Sequence, residues 1–118
     1  MYSSQLLDHF EHPRNAGELA SANVRVRIEN PACGDILELA LKFAEDRIEN
    51  IRFRAKGCVP AMACASAMTE LVKGKSLEDA RAVGKEDIVA AVGGLPEASG
   101  HAAQLAIEAL RTALSRAG

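Results

Sequence analysis

From Val24 onward the hydrophobic positions change period once, and that change separates the predicted strands from the helices that follow them. Val24, Val26 and Ile28 alternate with Arg25, Arg27 and Glu29, the period-two pattern of a strand with one wet face. Leu37, Leu39, Leu41 and Phe43 alternate with Glu38, Ala40 and Lys42. Glu45-Asp46 then turns the chain into Ile51, Phe53 and Ala55, spaced by Arg52 and Arg54. These three runs predict an antiparallel meander. From Pro60 the spacing becomes helical: Ala61, Cys64, Ala65, Met68, Leu71 and Val72 share one stripe, with Gly74 past its end. Ser76 with Asp79 resembles a capping box opening a short helix, and Lys85 to Val92 reads as another before Gly93-Gly94-Leu95-Pro96. Ala102, Leu105, Ala106, Ala109, Leu110, Ala113 and Leu114 form the apolar stripe of a last helix. At the other end, Ser3 or Ser4 can cap a short helix carrying Leu6, Leu7 and Phe10, stopped by Pro13. Strands followed by helices predict an α+β fold, a three-stranded antiparallel sheet with helices packed on one face.

Composition narrows the class. At 118 residues, with no Pro/Gly/Ser-rich divider, the chain reads as a single domain over 1–118. Its 48% apolar content is enough for a real core without disulfides. Net charge is −2 with acids and bases interspersed, so the basic stripe that phosphate-backbone binding requires is absent and nucleic acid is not an expected partner. No apolar run approaches the ~20 residues needed to span a bilayer. Three cysteines are an odd number, and the N-terminal stretch lacks the basic start and apolar run of a signal peptide. A reducing, cytoplasmic setting with reduced thiols is expected.

The chemistry-bearing residues are Cys33 and Asp35 in Asn30-Pro31-Ala32-Cys33-Gly34-Asp35, Cys58 in Lys56-Gly57-Cys58, and His101. Thiolate, carboxylate and imidazole are the side chains that bind zinc or iron. Gly34 lets the backbone bend between Cys33 and Asp35. Cys58 follows a strand and precedes a helix, whose N-terminus favours the thiolate form. His101 falls in the first turn of the last helix. Strand turns and helix starts at one edge of an α+β domain can bring the four together. Plainer readings stand beside this one: Asp35 as a turn residue satisfying backbone N–H groups, and His101 as a water-exposed helix-start residue. His9 and His12 are expected at the surface or in a turn. Arg25, Arg27, Arg52 and Arg54 are expected to line the wet face of the sheet, with docking of an acidic partner as the alternative.

Beyond these four residues, the run Tyr2 to Gly17, the segment Asn30 to Asp35, Gly57-Cys58, the segment Thr69 to Lys75, and Gly94-Leu95-Pro96 ahead of His101 occur in an order that resembles the iron–sulfur cluster scaffold family, whose members include IscU, SufU and the NifU N-terminal domain. The resemblance implies a scaffold rather than an enzyme. Such a scaffold assembles a labile [2Fe–2S] cluster with sulfur from a cysteine desulfurase and passes it to apo acceptor proteins. It implies cluster ligation by Cys33, Cys58 and His101, with Asp35 keeping the cluster transferable, since a hard carboxylate suits an iron–sulfide core less well than a soft thiolate. The family usually places a third cysteine directly after this histidine, where this chain has Ala102. Members served by a dedicated chaperone carry Leu-Pro-Pro-Val-Lys, where this chain has Leu95-Pro96-Glu97-Ala98-Ser99. Cys64 shares the apolar stripe with Ala61, Ala65 and Met68, which places it in the core; the alternative is that it replaces the missing thiol. The rival function is a zinc-holding module that occupies the desulfurase without building clusters, since two thiolates, an imidazole and a carboxylate also suit tetrahedral zinc. A zinc hydrolase fits poorly, because the candidate general bases are spent as ligands.

Overall fold

The period-two segments become strands β1 (Val24–Asn30), β2 (Asp35–Ala44) and β3 (Arg47–Lys56) in a computed structural model, which describes residues 2–31 and 34–117. They pair antiparallel in the order β1-β2-β3, the meander expected from the alternation. Val26, Leu39 and Phe53 share one cross-strand row and are all buried. The neighbouring row, Arg27, Glu38 and Arg54, points to the opposite face and is exposed. One face therefore meets the core and the other meets water.

Five helices follow the same order as their sequence signals: α1 (Ser4–Glu11), α2 (Val59–Val72), α3 (Leu77–Arg81), α4 (Lys85–Ala91) and α5 (Gly100–Ala117), with a 3-10 turn at Glu97–Ser99. Ser3 is the N-cap of α1: its Oγ accepts the Leu6 N–H at 3.0 Å and donates to the Val92 carbonyl, tying α1 to the end of α4. Helices α2 and α5 lie on the sheet and on each other, and α1 packs on α2. The apolar face of α5 contains every residue of the predicted stripe, widened by Ala103 and Ile107.

Helix α2 departs from the one-sided stripe. Ala63, Ser66 and Ala67 are as buried as Ala61, Cys64 and Ala65, because α1, α4, α5 and β3 all pack around it. A helix enclosed on nearly every side is built from small residues so that its neighbours can approach. Cys64 is fully buried, in agreement with a core role, and burial pushes its thiol up to about 12.

One expectation fails here. His9 is buried, 5% exposed, rather than at the surface, while His12 is exposed as anticipated. Its Nδ1 lies 2.8 Å from Ser66 Oγ and its Nε2 lies 3.7 Å from Glu70 Oε1, both on α2. Ser66 Oγ also accepts the Arg14 N–H at 2.8 Å. The Ser66 hydroxyl, with one hydrogen and two lone pairs, serves both the Arg14 N–H and His9 Nδ1, and Glu70 faces the other ring nitrogen. The residue is polar but satisfied, which is the condition for burying it.

Candidate metal centre

Three of the four predicted ligands converge at the edge where β2 begins and α2 and α5 start. Asp35 is the first residue of β2 and is 3% exposed. Gly34, ahead of it, has φ +75°, a conformation that L side chains rarely adopt, and donates its N–H to the Asn30 carbonyl at 2.7 Å, closing the turn. Cys58 is the N-cap of α2, half-buried, and His101 is the second residue of α5, with 38% of its side chain exposed. Cys33 lies outside the described residues.

The two oxygens of Asp35 have different surroundings. Oδ1 accepts the backbone N–H of Cys58 at 3.2 Å, which fixes the carboxylate against the start of α2. Oδ2 lies 3.3 Å from Cys58 Sγ and 3.6 Å from His101 Nε2, and that nitrogen is 3.8 Å from the same sulfur. Around one tetrahedral zinc-like ion, with metal–ligand distances of ~2.0–2.3 Å, such donors stand about 3.3–3.6 Å apart. The observed triangle is therefore closed to within a few tenths of an ångström of what a single four-coordinate ion needs. The same three residues are the described group of metal-type donors gathered within 4.8 Å of one another.

Gly57 makes this closeness sterically allowed, a role that spacing alone did not reveal. A Cβ built on Gly57 would lie 2.2 Å from Asp35 Oδ1 and 2.6 Å from its Cγ, so no side chain fits there while the carboxylate holds its position. The sequence signal was present in Gly57-Cys58, but it identifies a steric requirement only once Asp35 is known to face it. Cys64 is not a member of the gathered donors. Ala102, next to His101, is 1% exposed and belongs to the hydrophobic core. A thiol at that position would be buried and would remain protonated unless a metal took its charge.

A carboxylate, a thiol and an imidazole meeting at one open edge of a three-stranded sheet define a small α+β domain with a candidate metal centre. The profile of the NifU-like N terminal domain family matches residues 1–116, and the chain belongs to that family. The iron-sulfur cluster assembly scaffold protein IscU 1 of Archaeoglobus fulgidus is 40% identical over 114 residues, covering 97% of this chain and 74% of that protein. IscU of Escherichia coli strain K12 is 38% identical over 118 residues, covering 97% and 91%. In fold, the chain is similar to the N-terminal NifU-like protein of Brucella abortus, with a TM-score of 0.81 at 15% identity over 97% of this chain and 92% of that one.

Proposed function

We propose that this chain is an iron–sulfur cluster assembly scaffold that holds a labile [2Fe–2S] cluster through Cys33, Asp35, Cys58 and His101 and passes it to apo acceptor proteins, with sulfur supplied by a cysteine desulfurase. The observation that carries this reading is the convergence of Asp35 Oδ2, Cys58 Sγ and His101 Nε2 within 3.3–3.8 Å at a partly exposed edge. Cys33, two residues before Asp35, supplies the fourth donor. Relatives named as scaffolds, at about 40% identity over nearly the whole chain, support the same reading. The cluster is cargo: it must be held well enough to form and loosely enough to leave. One carboxylate and one imidazole beside soft thiolates meet both needs, since nitrogen donors have precedent on such clusters and a hard oxygen is the ligand most readily exchanged. The site lies at the surface, where donor and acceptor proteins can reach it.

The triangle also favours a second reading, resting zinc, because its spacing suits one ion rather than two metals spread across a cluster. Anaerobic reconstitution with ferrous iron, cysteine and a cysteine desulfurase, followed by visible spectroscopy, tests the scaffold. The expected result is cluster absorption in metal-stripped protein, lost on transfer to an apo-ferredoxin. A correctly folded chain that stays colourless, and that retains about one zinc through the same treatment, would establish the zinc module instead. Ala102→Cys, which adds a soft donor beside His101, is expected to raise the cluster yield.

A further inference from the structure

A cavity of about 610 Å³ lies not at the metal centre but on the outer face of the sheet, beneath the loop that connects α1 to β1. This volume is in the usual range for a small-molecule site. Its floor follows from the register. Arg25 of β1 stands opposite Ala40 of β2, and Ala40 stands opposite Arg52 of β3. With strands ~4.8 Å apart, the two arginine backbones flank a methyl floor at about 10 Å from one another. Arg116, from the last turn of α5, lines the same cavity and donates to the Arg25 carbonyl at 2.9 Å.

Charge balance distinguishes these three arginines from their neighbours. Arg54 is paired with Glu18 at 2.7 Å and Arg27 with Glu29 at 3.0 Å. Among the described residues, Arg25, Arg52 and Arg116 have no carboxylate within ion-pair distance. They bond neutral oxygens instead: Arg25 the Leu19 carbonyl at 2.7 Å, and Arg52 the Asn50 side chain at 2.8 Å and the Ile51 carbonyl at 2.9 Å. These bonds orient the guanidiniums while using few of the five N–H donors each carries. Glu38, the other acid at the cavity, stands in the adjacent row between Arg27 and Arg54, the two arginines already paired with Glu29 and Glu18. An otherwise acidic chain thus sets five arginines against Glu18, Glu29 and Glu38 around one small-floored hollow, a net excess of two positive charges.

We propose that this cavity binds a small molecule carrying phosphate groups, of the nucleoside di- or triphosphate type. Arginines of β1, β3 and α5 all line it. A di- or triphosphate, with charged groups spread along its length, can accept from arginines set across the hollow, whereas a single carboxylate reaches fewer of them. Leu19 and Ala40 supply the apolar contacts of an organic ligand.

The test is calorimetric titration of metal-stripped full-length protein with pyrophosphate and with ATP, without magnesium, at low salt. Saturable one-site binding that weakens as salt rises is expected. Arg52→Gln and the exposed-helix variant Arg116→Gln should each weaken it by about tenfold, as expected for losing a charged hydrogen bond. Ala40→Glu should abolish it, with thermal melting confirming that each variant folds. Cys58→Ala should leave it unchanged, which separates this site from chelation at the metal centre. Absence of saturable binding, indifference to both arginine variants, or loss in Cys58→Ala would overturn the proposal. So would equal or tighter binding of citrate, which would indicate carboxylates, or of a glutamate-rich peptide, which would indicate a protein partner.

Discussion

Two clusters in this fold contain a histidine, an acid and a third polar side chain within 4 Å of the histidine, and they are arranged in opposite ways. His9, Ser66 and Glu70 lie where α1 packs on α2; the imidazole is 5% exposed and Ser66 is fully buried. Asp35, Cys58 and His101 lie at the sheet edge, with the acid buried and the histidine 38% exposed in its side chain. In the first cluster the hydroxyl is used twice, toward His9 and toward the Arg14 N–H. In the second, Asp35 Oδ1 is committed to backbone, and three donor atoms are gathered at one place. The difference shows that residue type does not make a metal centre. Donor atoms must converge on one point, and that point must be reachable.

The comparison can be broken first at its strongest point. Cys58→Ala removes a donor from the open cluster and is expected to weaken zinc or cobalt binding by at least ~100-fold, more than loss of a supporting contact does. Thermal stability should change little, since this side chain is only half-buried. Chelator competition with a melting curve reads both. Ser66→Ala should do the reverse. It leaves the Arg14 N–H and His9 Nδ1 without their partner, at ~1–3 kcal/mol each, so denaturant unfolding should show a loss of about 2–6 kcal/mol with metal affinity unchanged. A large change in affinity would mean that the two clusters are coupled.

Gly57→Ala probes how finely the open cluster is set. The new Cβ must displace the Asp35 carboxylate, so metal affinity should fall ~10–100-fold, as for loss of an orienting contact, while both cysteines and His101 are retained. The smallest expected effect is on pH dependence. Burial, followed by the Arg14 charge, holds His9 below its usual 6.5. The unfolded chain therefore binds a proton at His9 more readily than the folded one, so stability is full above 6.5 and declines as pH falls from there toward the lowered native value. Unfolding curves at successive pH values should show this decline in wild type and a shallower one in His9→Gln.

The contrast also explains what the sequence made legible. Alternation in β1, β2 and β3 is a local property and was readable because one sheet face is wet. The stripe of α5 was readable for the same reason. Helix α2 was read as one-sided because its enclosure by α1, α4 and α5 is a tertiary fact that no local period records. His9 was misplaced for the same cause: a histidine beside Leu6 and Phe10 carries no sign that Ser66, 57 residues away, will receive it. Asp35, Cys58 and His101 were legible because thiol, carboxylate and imidazole stand at turns and helix starts, where side chains can converge. Gly57 was not, since its importance is a distance to Asp35 across two strands. For the arginine hollow the sequence offers only a wet face or an acidic partner's docking surface, because register decides which arginines flank Ala40.

Anaerobic cobalt titration of metal-stripped protein tests the central claim most directly. The account predicts one tight equivalent with tetrahedral visible bands and thiolate-to-cobalt charge transfer, weakened by at least ~100-fold in both Cys58→Ala and His101→Ala and preserved in Ser66→Ala. Binding of equal strength in wild type, Cys58→Ala and His101→Ala would contradict it.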